Sequence, residues 1–382
     1  MANVNSNAGA LNGLRILDFS RVLAGPYATM LFGDFGAEVI KIERPGEGDD
    51  TRSWGPPWLG EDATYFLAVN RNKRSYTLDL KDDTARKELL ALAQSSDVVV
   101  ENFRPGAMAK LGLGYEQLSE INPRLVYCSI SGFGSSSGSH LAGYDLIAQA
   151  AGGLMSVTGH AETGPAKAGV ALVDIITGLH ATIGIQTALL ERHRTGQGQL
   201  VEVNLMSSVL SALSNQTSAH ILTGAVPGLM GNAHPSVAPY QPFEAADRPV
   251  AIAATTNAQF VKLANALDLP QLVDHPSYRS NADRVAHREA LAAELEHVLR
   301  KQTADHWFGV LSAVGVPCAP INDMKQAVEL ATSLGLDPVV YPEGKPDGVA
   351  QVRNPISLSR TPARYRTEPP GLNPEVGVLP KP

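Results

Sequence analysis

Asp174 is the sole charged residue in the apolar run GVALVDIITGLHATIGIQTALL (169–190), flanked by Val173 and Ile175. A carboxylate in such surroundings must be paired, hydrogen-bonded or shifted in pKa, because burying an unpaired charge is expensive. It therefore reads either as a helix cap or paired core aspartate, or as a functional group. Gly169 and Ala171 leave room for an approaching partner, and a desolvated carboxylate there is a competent nucleophile toward an activated acyl group. A rival nucleophile lies in GFGSSSG (132–138), where residues 134–138 fit the G-x-S-x-G pattern of a hydrolase with Ser136 at its centre. That pattern needs a sharp strand-to-helix turn, whereas GSHLAGY (138–144) continues as loop. Read as a dinucleotide-binding turn, the same stretch has its third glycine one position late.

Two basic clusters interrupt an acidic chain. KIERPGEGDDTR (41–52) ends one strand pattern, and NRNKRS (70–75) sets Arg71, Lys73 and Arg74 just before another. A charge run is ordinarily a solvated face, but strand ends in an α/β pattern are also where anions bind, so both readings stand. The histidines form no H-x-x-x-H pair, and Cys128 and Cys318 have no C-x-x-C partner, so no metal site is expected. His287 and His297 read as solvated, and His180 as a core histidine.

The elements that must position these groups alternate in type. Strand patterns at 14–20, 38–44, 75–80, 97–103, 125–131 and 200–205 are separated by helix patterns at 26–36, 82–94, 105–111 and 169–192, with a further helix at 206–222. This predicts an α/β fold with a parallel, doubly wound sheet covered on both faces. A Gly/Pro-rich linker (223–240) leads to a smaller α/β unit (241–325), with a strand near 250–255, helices near 257–266, 284–300 and 304–313, and a strand at 316–321. The stretch 326–382 reads as an irregular returning arm, and 1–222 as the first part of the large domain. A length of 382 residues suits two or three domains. Hydrophobic residues at 44% and charged residues at 18% exclude disorder, and a net charge of −7 argues against a nucleic-acid partner. Two cysteines exclude a disulfide scaffold. MANVNSNAGALNGLR (1–15) has neither the basic nor the apolar part of a secretory signal, and the run 169–190, interrupted by Asp174, His180 and Gln186, reads as a buried helix. The expectation is a cytoplasmic enzyme with no membrane partner.

FSRVLAGPYATMLFGDFGAEVIKIERPGEGDDTR (19–52), NRNKRSYTLDL (70–80), DVVVENFRPG (97–106), GYDLIAQAAGGLMSVTG (143–159) and GVALVDIITGLHA (169–181) together resemble the class III CoA-transferases, from about residue 11 through VGVPCAPINDM (314–324). RVLAGPYAT (21–29), GDDTRSWGPP (48–57), AVNRNKRS (68–75) and AHPSVAPYQPF (233–243) are most similar to the subgroup of the succinyl-CoA:glutarate type, which moves CoA between small dicarboxylic acids. The resemblance implies a Rossmann-like large domain built from both ends of the chain, a small α/β domain, and a homodimer interlocked like links of a chain. It carries the catalytic aspartate onto Asp174 and the CoA contacts onto Val22, Leu23, Arg44, Leu78, Lys81, Asn102, Phe103 and Lys110. CoA thioesters and small carboxylic acids are then the substrates, with no permanently bound cofactor. The implied route passes through an aspartyl anhydride and an aspartyl-CoA thioester. A second carboxylate on the acid calls for an Arg or Lys, which Arg71 and Lys167 could supply, with Tyr144 as a further substrate contact.

Three departures qualify the resemblance. AIAATTNAQF (251–260) lacks the glycines of a lid loop, and PPGLNPEVG (369–377) replaces the usual tail. Gly143-Tyr144-Asp145 lacks the histidine that a related α-methylacyl-CoA racemase would need as its second base.

Overall fold

The computed structural model describes residues 9–372; residues 1–8 and most of PPGLNPEVG fall outside the described residues. The described residues fall into two units. One comprises those of Met1–Leu154, Lys167–Val226 and Asp337–Pro382, the other Met155–Ala166 and Pro227–Leu336.

The first unit is built on six parallel strands: β1 (Arg15–Asp18), β2 (Glu38–Glu43), β3 (Lys73–Thr77), β4 (Val98–Glu101), β5 (Val126–Ser131) and β6 (Leu200–Asn204). Their order across the sheet is β6-β5-β4-β1-β2-β3. The all-parallel α/β sheet expected from the alternating pattern is present. Its apolar strands are continuous runs because neighbouring side chains point to opposite, equally buried faces. Ile16 packs with Ala28, Phe32, Val98 and Ile185 on one side, while Leu17 packs with Ile40, Leu89 and Val99 on the other.

Helices α1 (Ala24–Asp34) and α4 (Leu172–Thr195) share the first face, and α2 (Asp83–Gln94) covers the second. A helix of seven residues, α3 (Asp145–Ala151), precedes α4. Gly178 of α4 lets that helix come close to α1. A Cβ on Gly178 would stand 2.6 Å from the carbonyl oxygen of Ala24, a contact no side chain makes. At its far end α4 stops at Gly196 (φ 79), a left-handed position that glycine adopts without steric penalty. The pattern read as one helix over 206–222 is broken into α5 (Leu205–Ala212) and α6 (Ser214–Thr223), with Ser214 at φ 38.

The second unit has an antiparallel sheet, Tyr240–Phe243, Val250–Ala253 and Cys318–Pro320. Helices Asn257–Ala266, Arg288–Leu299 and Ala304–Ala313 supply Phe260, Leu263, Leu295, Trp307 and Leu311 to its core. The chain after 325 is more regular than the composition suggested. Met324–Ser333 is a helix, with an Asp323 capping box, and Val339–Val340 pairs with Gln351–Val352. Met324, Ala327, Val328 and Ala331 recur on one face of this helix, yet none of its residues is buried.

The basic clusters mostly hold the fold rather than face solvent. Lys41 Nζ donates to Asp49 (2.8 Å) and to Ser20 O (2.9 Å), and Lys73 Nζ donates to Asp18 (3.1 Å), Asn70 (3.0 Å) and Pro26 O (2.8 Å). Arg52 grips Glu43 through two nitrogens. Arg74, in contrast, is exposed, and Arg44 pairs with Asp50 (2.5 Å).

Gly178→Ala should destabilise the protein by about 1–3 kcal/mol despite alanine's better helix propensity, because the obstructing atom is backbone. Denaturant unfolding checks this; equal or greater stability would show that α1 and α4 are not in tight register.

Candidate active site

In this strand order the chain leaves β1 toward one edge and β4 toward the other, so the loops after them diverge and open a crevice beyond the carboxyl ends of the strands. That crevice is a cleft of about 320 Å³, walled by Arg21, Val22, Leu23, Asn102, Phe103 and Asp174 among others. Asn102 locks the loop after β1: its side chain accepts the Arg21 N–H (2.8 Å) and donates to the Arg21 carbonyl (2.7 Å). The guanidinium of Arg21 lies 4.5 Å from the centre of the Phe103 ring. Val22 sits at φ 67, where a β-branched residue is strained by roughly 1–3 kcal/mol. Its N–H is received by Asp49 (3.3 Å), itself held by buried Lys41 and by Thr51.

Asp174 is the third residue of α4 and is 9% exposed. The cap of this helix is not Asp174 but Asp145, the first residue of α3. Its Oδ1 accepts the N–H groups of Val173 (2.8 Å) and Asp174 (3.2 Å), and its Oδ2 accepts from Gln149 (2.5 Å). Among the described residues no hydrogen bond ends on the Asp174 carboxylate. Burial, and then the charge of Asp145, push its pKa up to about 7. A helix N-terminus favours the anion by about 0.3–1 kcal/mol, so desolvation outweighs it.

A second cavity, about 900 Å³, meets the first at Val22, Leu23, Tyr144 and Asp174. Most of its wall is apolar, including Tyr27, Met30, Val69, Val170 and Ile175. Trp54 and Tyr65 stand edge to face on it, 5.4 Å between ring centres. Burial and the charges of Asp174 and Asp145 push the Tyr65 hydroxyl up to about 12, so it stays a donor at neutral pH. Three cations belong to this wall: Arg71, Lys167 and Arg353. Arg71 is anchored to Asp34 (2.9 and 2.7 Å) and to Val352 O (3.0 Å), which engages three of its five N–H donors. Lys167 is exposed and donates to Ala168 O (3.1 Å), and Arg353 donates to Asp337 O (2.6 Å).

Of the residues singled out from sequence, Val22, Leu23, Asn102, Phe103, Tyr144 and Asp174 come together on the first cleft. Arg44 and Leu78 line a small adjoining recess that also touches Arg21 and Phe103. Lys81 and Lys110 are exposed and line none of these cavities. Ser136 lies exposed in a loop that runs on to Tyr144, with no helix opening directly after the serine, and it borders neither cavity. Arg21, Asp145, Tyr65 and Arg353 were missed. Arg21 and Asp145 carried a signal, as charged residues at a strand end and ahead of a helix; Arg353 carried none, since only folding brings its segment here.

The model of CoA-transferase family III matches residues 11–375. Succinyl-CoA:glutarate CoA-transferase of Homo sapiens is 43% identical over 321 residues, covering 84% of this chain and 73% of the relative. Succinate–glutarate CoA-transferase of Agrobacterium fabrum is 38% identical over 97% of this chain and 95% of the relative. The crystal structure of a CAIB/BAIF family protein from Brucella suis superposes with a TM-score of 0.87 at 40% identity, covering 96% and 97% of the two chains.

The raised pKa has two measurable consequences. Activity that depends on the Asp174 anion should fall on the acid side with an apparent pKa near 7, and Asp145→Asn should move that limb to lower pH in a pH–rate profile. The folded protein also holds this proton more tightly than the unfolded chain, so stability should decline as pH rises from 3.8 to about 7. Asp174→Asn should remove that decline, gaining on the order of 2–4 kcal/mol at pH 8 in denaturant titrations.

Proposed function

The chain belongs to CoA-transferase family III, and on that premise we propose that it moves CoA from an acyl-CoA donor to a small dicarboxylic acid of the succinate–glutarate kind, with Asp174 as covalent carrier. The observation that carries this reading is the place of Asp174: a desolvated carboxylate shared by a polar cleft at the sheet's switch point and an apolar, cation-bearing cavity. The activities named for the human and Agrobacterium relatives support the same acids.

The Asp174 carboxylate attacks the donor thioester carbonyl, the C–S bond breaks, and a mixed anhydride and CoA thiolate result. The thiolate then attacks the Asp174 carbonyl, giving an aspartyl-CoA thioester and releasing the donor acid. The acceptor carboxylate attacks that thioester, re-forming an anhydride, and the thiolate takes the acceptor acyl group and frees Asp174. No proton changes hands, so each step needs charge stabilisation rather than an acid or base. The N–H groups of Leu23, Ala24 and Gly25, which precede the first hydrogen bond of α1, are suited to the developing oxyanion. Exclusion of water by the apolar wall protects the anhydride.

In this reading Val22, Leu23, Asn102 and Phe103 receive the thiol arm of CoA, Arg44 and Leu78 its neighbouring portion, and the exposed Lys81 and Lys110 its phosphates. Arg71, Lys167 and Tyr144 take the far carboxylate of the acid. We also propose a soluble, interlocked homodimer, to which the exposed apolar residues Ile183, Leu190 and Leu222 of α4 and α6 lend support.

Incubation with succinyl-CoA and C4–C6 dicarboxylates should yield new thioesters without α-proton exchange. Asp174→Ala should abolish transfer, Ser136→Ala should leave it intact, and hydroxylamine should trap the modified group at Asp174. Robust transfer by the Asp174→Ala protein would refute the mechanism. Lys167→Ala should raise the KM for dicarboxylates while sparing monocarboxylates; equal effects on both would remove Lys167 from that role.

A further inference from the structure

Arg71 owes its orientation to a buried carboxylate that a distant part of the chain completes. Asp34, the last residue of α1, has no exposed side-chain surface. A carboxylate at a helix C-terminus opposes the helix dipole, so it requires compensation from donors. Four are present: Arg71 Nε (2.9 Å) and Nη2 (2.7 Å), Asn72 Nδ2 (2.8 Å) and Asn354 Nδ2 (2.9 Å). Asn354 is 4% exposed and lies outside the cavity wall, while its neighbours Val352, Arg353 and Pro355 are part of it. Its backbone N–H donates to the hydroxyl of Tyr365 (2.9 Å), whose ring lies 5.3 Å from the Arg71 guanidinium. Val352 O takes a third N–H of Arg71. The segment 352–365 thus fixes the guanidinium from three directions.

We propose that Asn354 is a positioning residue for acid selectivity: by tying the C-terminal segment to Asp34 it aims the free N–H donors of Arg71 at the second carboxylate of the acid. The proposal rests on Arg71 being the receptor of that carboxylate. Arginine–carboxylate recognition is directional, and an error of about 1 Å in its placement is enough to weaken it severely. Without the Asn354 amide, Asp34 keeps Arg71 but loses its tie to the segment that supplies Val352 O and the Tyr365 ring. Selectivity between one and two carboxylates should then fall, while the chemistry at Asp174 is untouched.

The test compares glutarate with its monomethyl ester as acceptors from one CoA thioester donor, for wild type, Asn354→Ala, Tyr365→Phe and Arg71→Gln. Asn354→Ala should raise the KM for glutarate by about tenfold with little change in kcat and in the KM for the ester. Tyr365→Phe, which keeps the ring and loses the hydroxyl acceptor, should shift the same ratio less, and it keeps the test alive should Asn354→Ala not fold. Arg71→Gln should erase the preference for glutarate. If Arg71→Gln erases it and the other two variants leave it unchanged, or slow both acids equally, the positioning role is overturned while Arg71 stands as receptor. If Arg71→Gln itself leaves the preference intact, the receptor assignment falls and the proposal with it.

Discussion

Two ammonium groups with no exposed side-chain surface, Lys41 and Lys73, sit beneath the carboxyl ends of the central strands, and the loop after β1 depends on them. Lys41 binds Ser20 O and Asp49, and Asp49 in turn receives the N–H of Val22. Lys73 binds Asp18 and Pro26 O, joining the end of β1 to the first turn of α1. Buried ion pairs are weak evidence for stability, since desolvation offsets much of the attraction, but breaking one strands a charge. Here the network does something apolar residues could not: it supplies directed donors and acceptors that hold Val22 in a left-handed backbone. Burial and the nearby charge of Lys41 pull the Lys73 ammonium down to about 8, with Asp18 opposing that shift.

From that clamp the site follows. With the loop held, the start of α1 faces the cleft, and Gly178 lets α4 lie against it, so Asp174 arrives beside the α1 N-terminus. Asp145 then performs two tasks at once. It satisfies the first N–H groups of α4, and its charge adds to the desolvation that raises the Asp174 pKa. A carboxylate with a pKa near neutrality is a better nucleophile than an ordinary aspartate while still being ionised in a useful fraction of molecules.

Much of this was legible in the chain. The alternation of apolar strands and helices predicted the parallel sheet, and its strong periodicity is why those elements were found. Asp174 stood out because one carboxylate in a mainly apolar run of twenty-two residues must be a cap, a paired group or a functional one. The misreadings have different causes. The apolar stripe Met324, Ala327, Val328 and Ala331 runs into the start of a stretch read whole as irregular, and the cation clusters at 41–52 and 70–75 looked alike although one holds half-buried Arg44 and buried Lys41 three positions apart. Periodicity reports which face is buried, and it says nothing about which charge partners it.

By itself, then, the sequence determined the layered α/β class, the candidate nucleophile and the loops that border it, since these follow from local pattern and from the intolerance of apolar surroundings for charge. Only the tertiary structure decided which arginine is anchored, which lysines are buried, and that Asp145 rather than Asp174 caps α4. It alone could also bring Val352 to Arg71 across 281 positions. Those outcomes depend on contacts between residues far apart in the chain, whose energies are set by burial and hydrogen-bond geometry that no local pattern encodes.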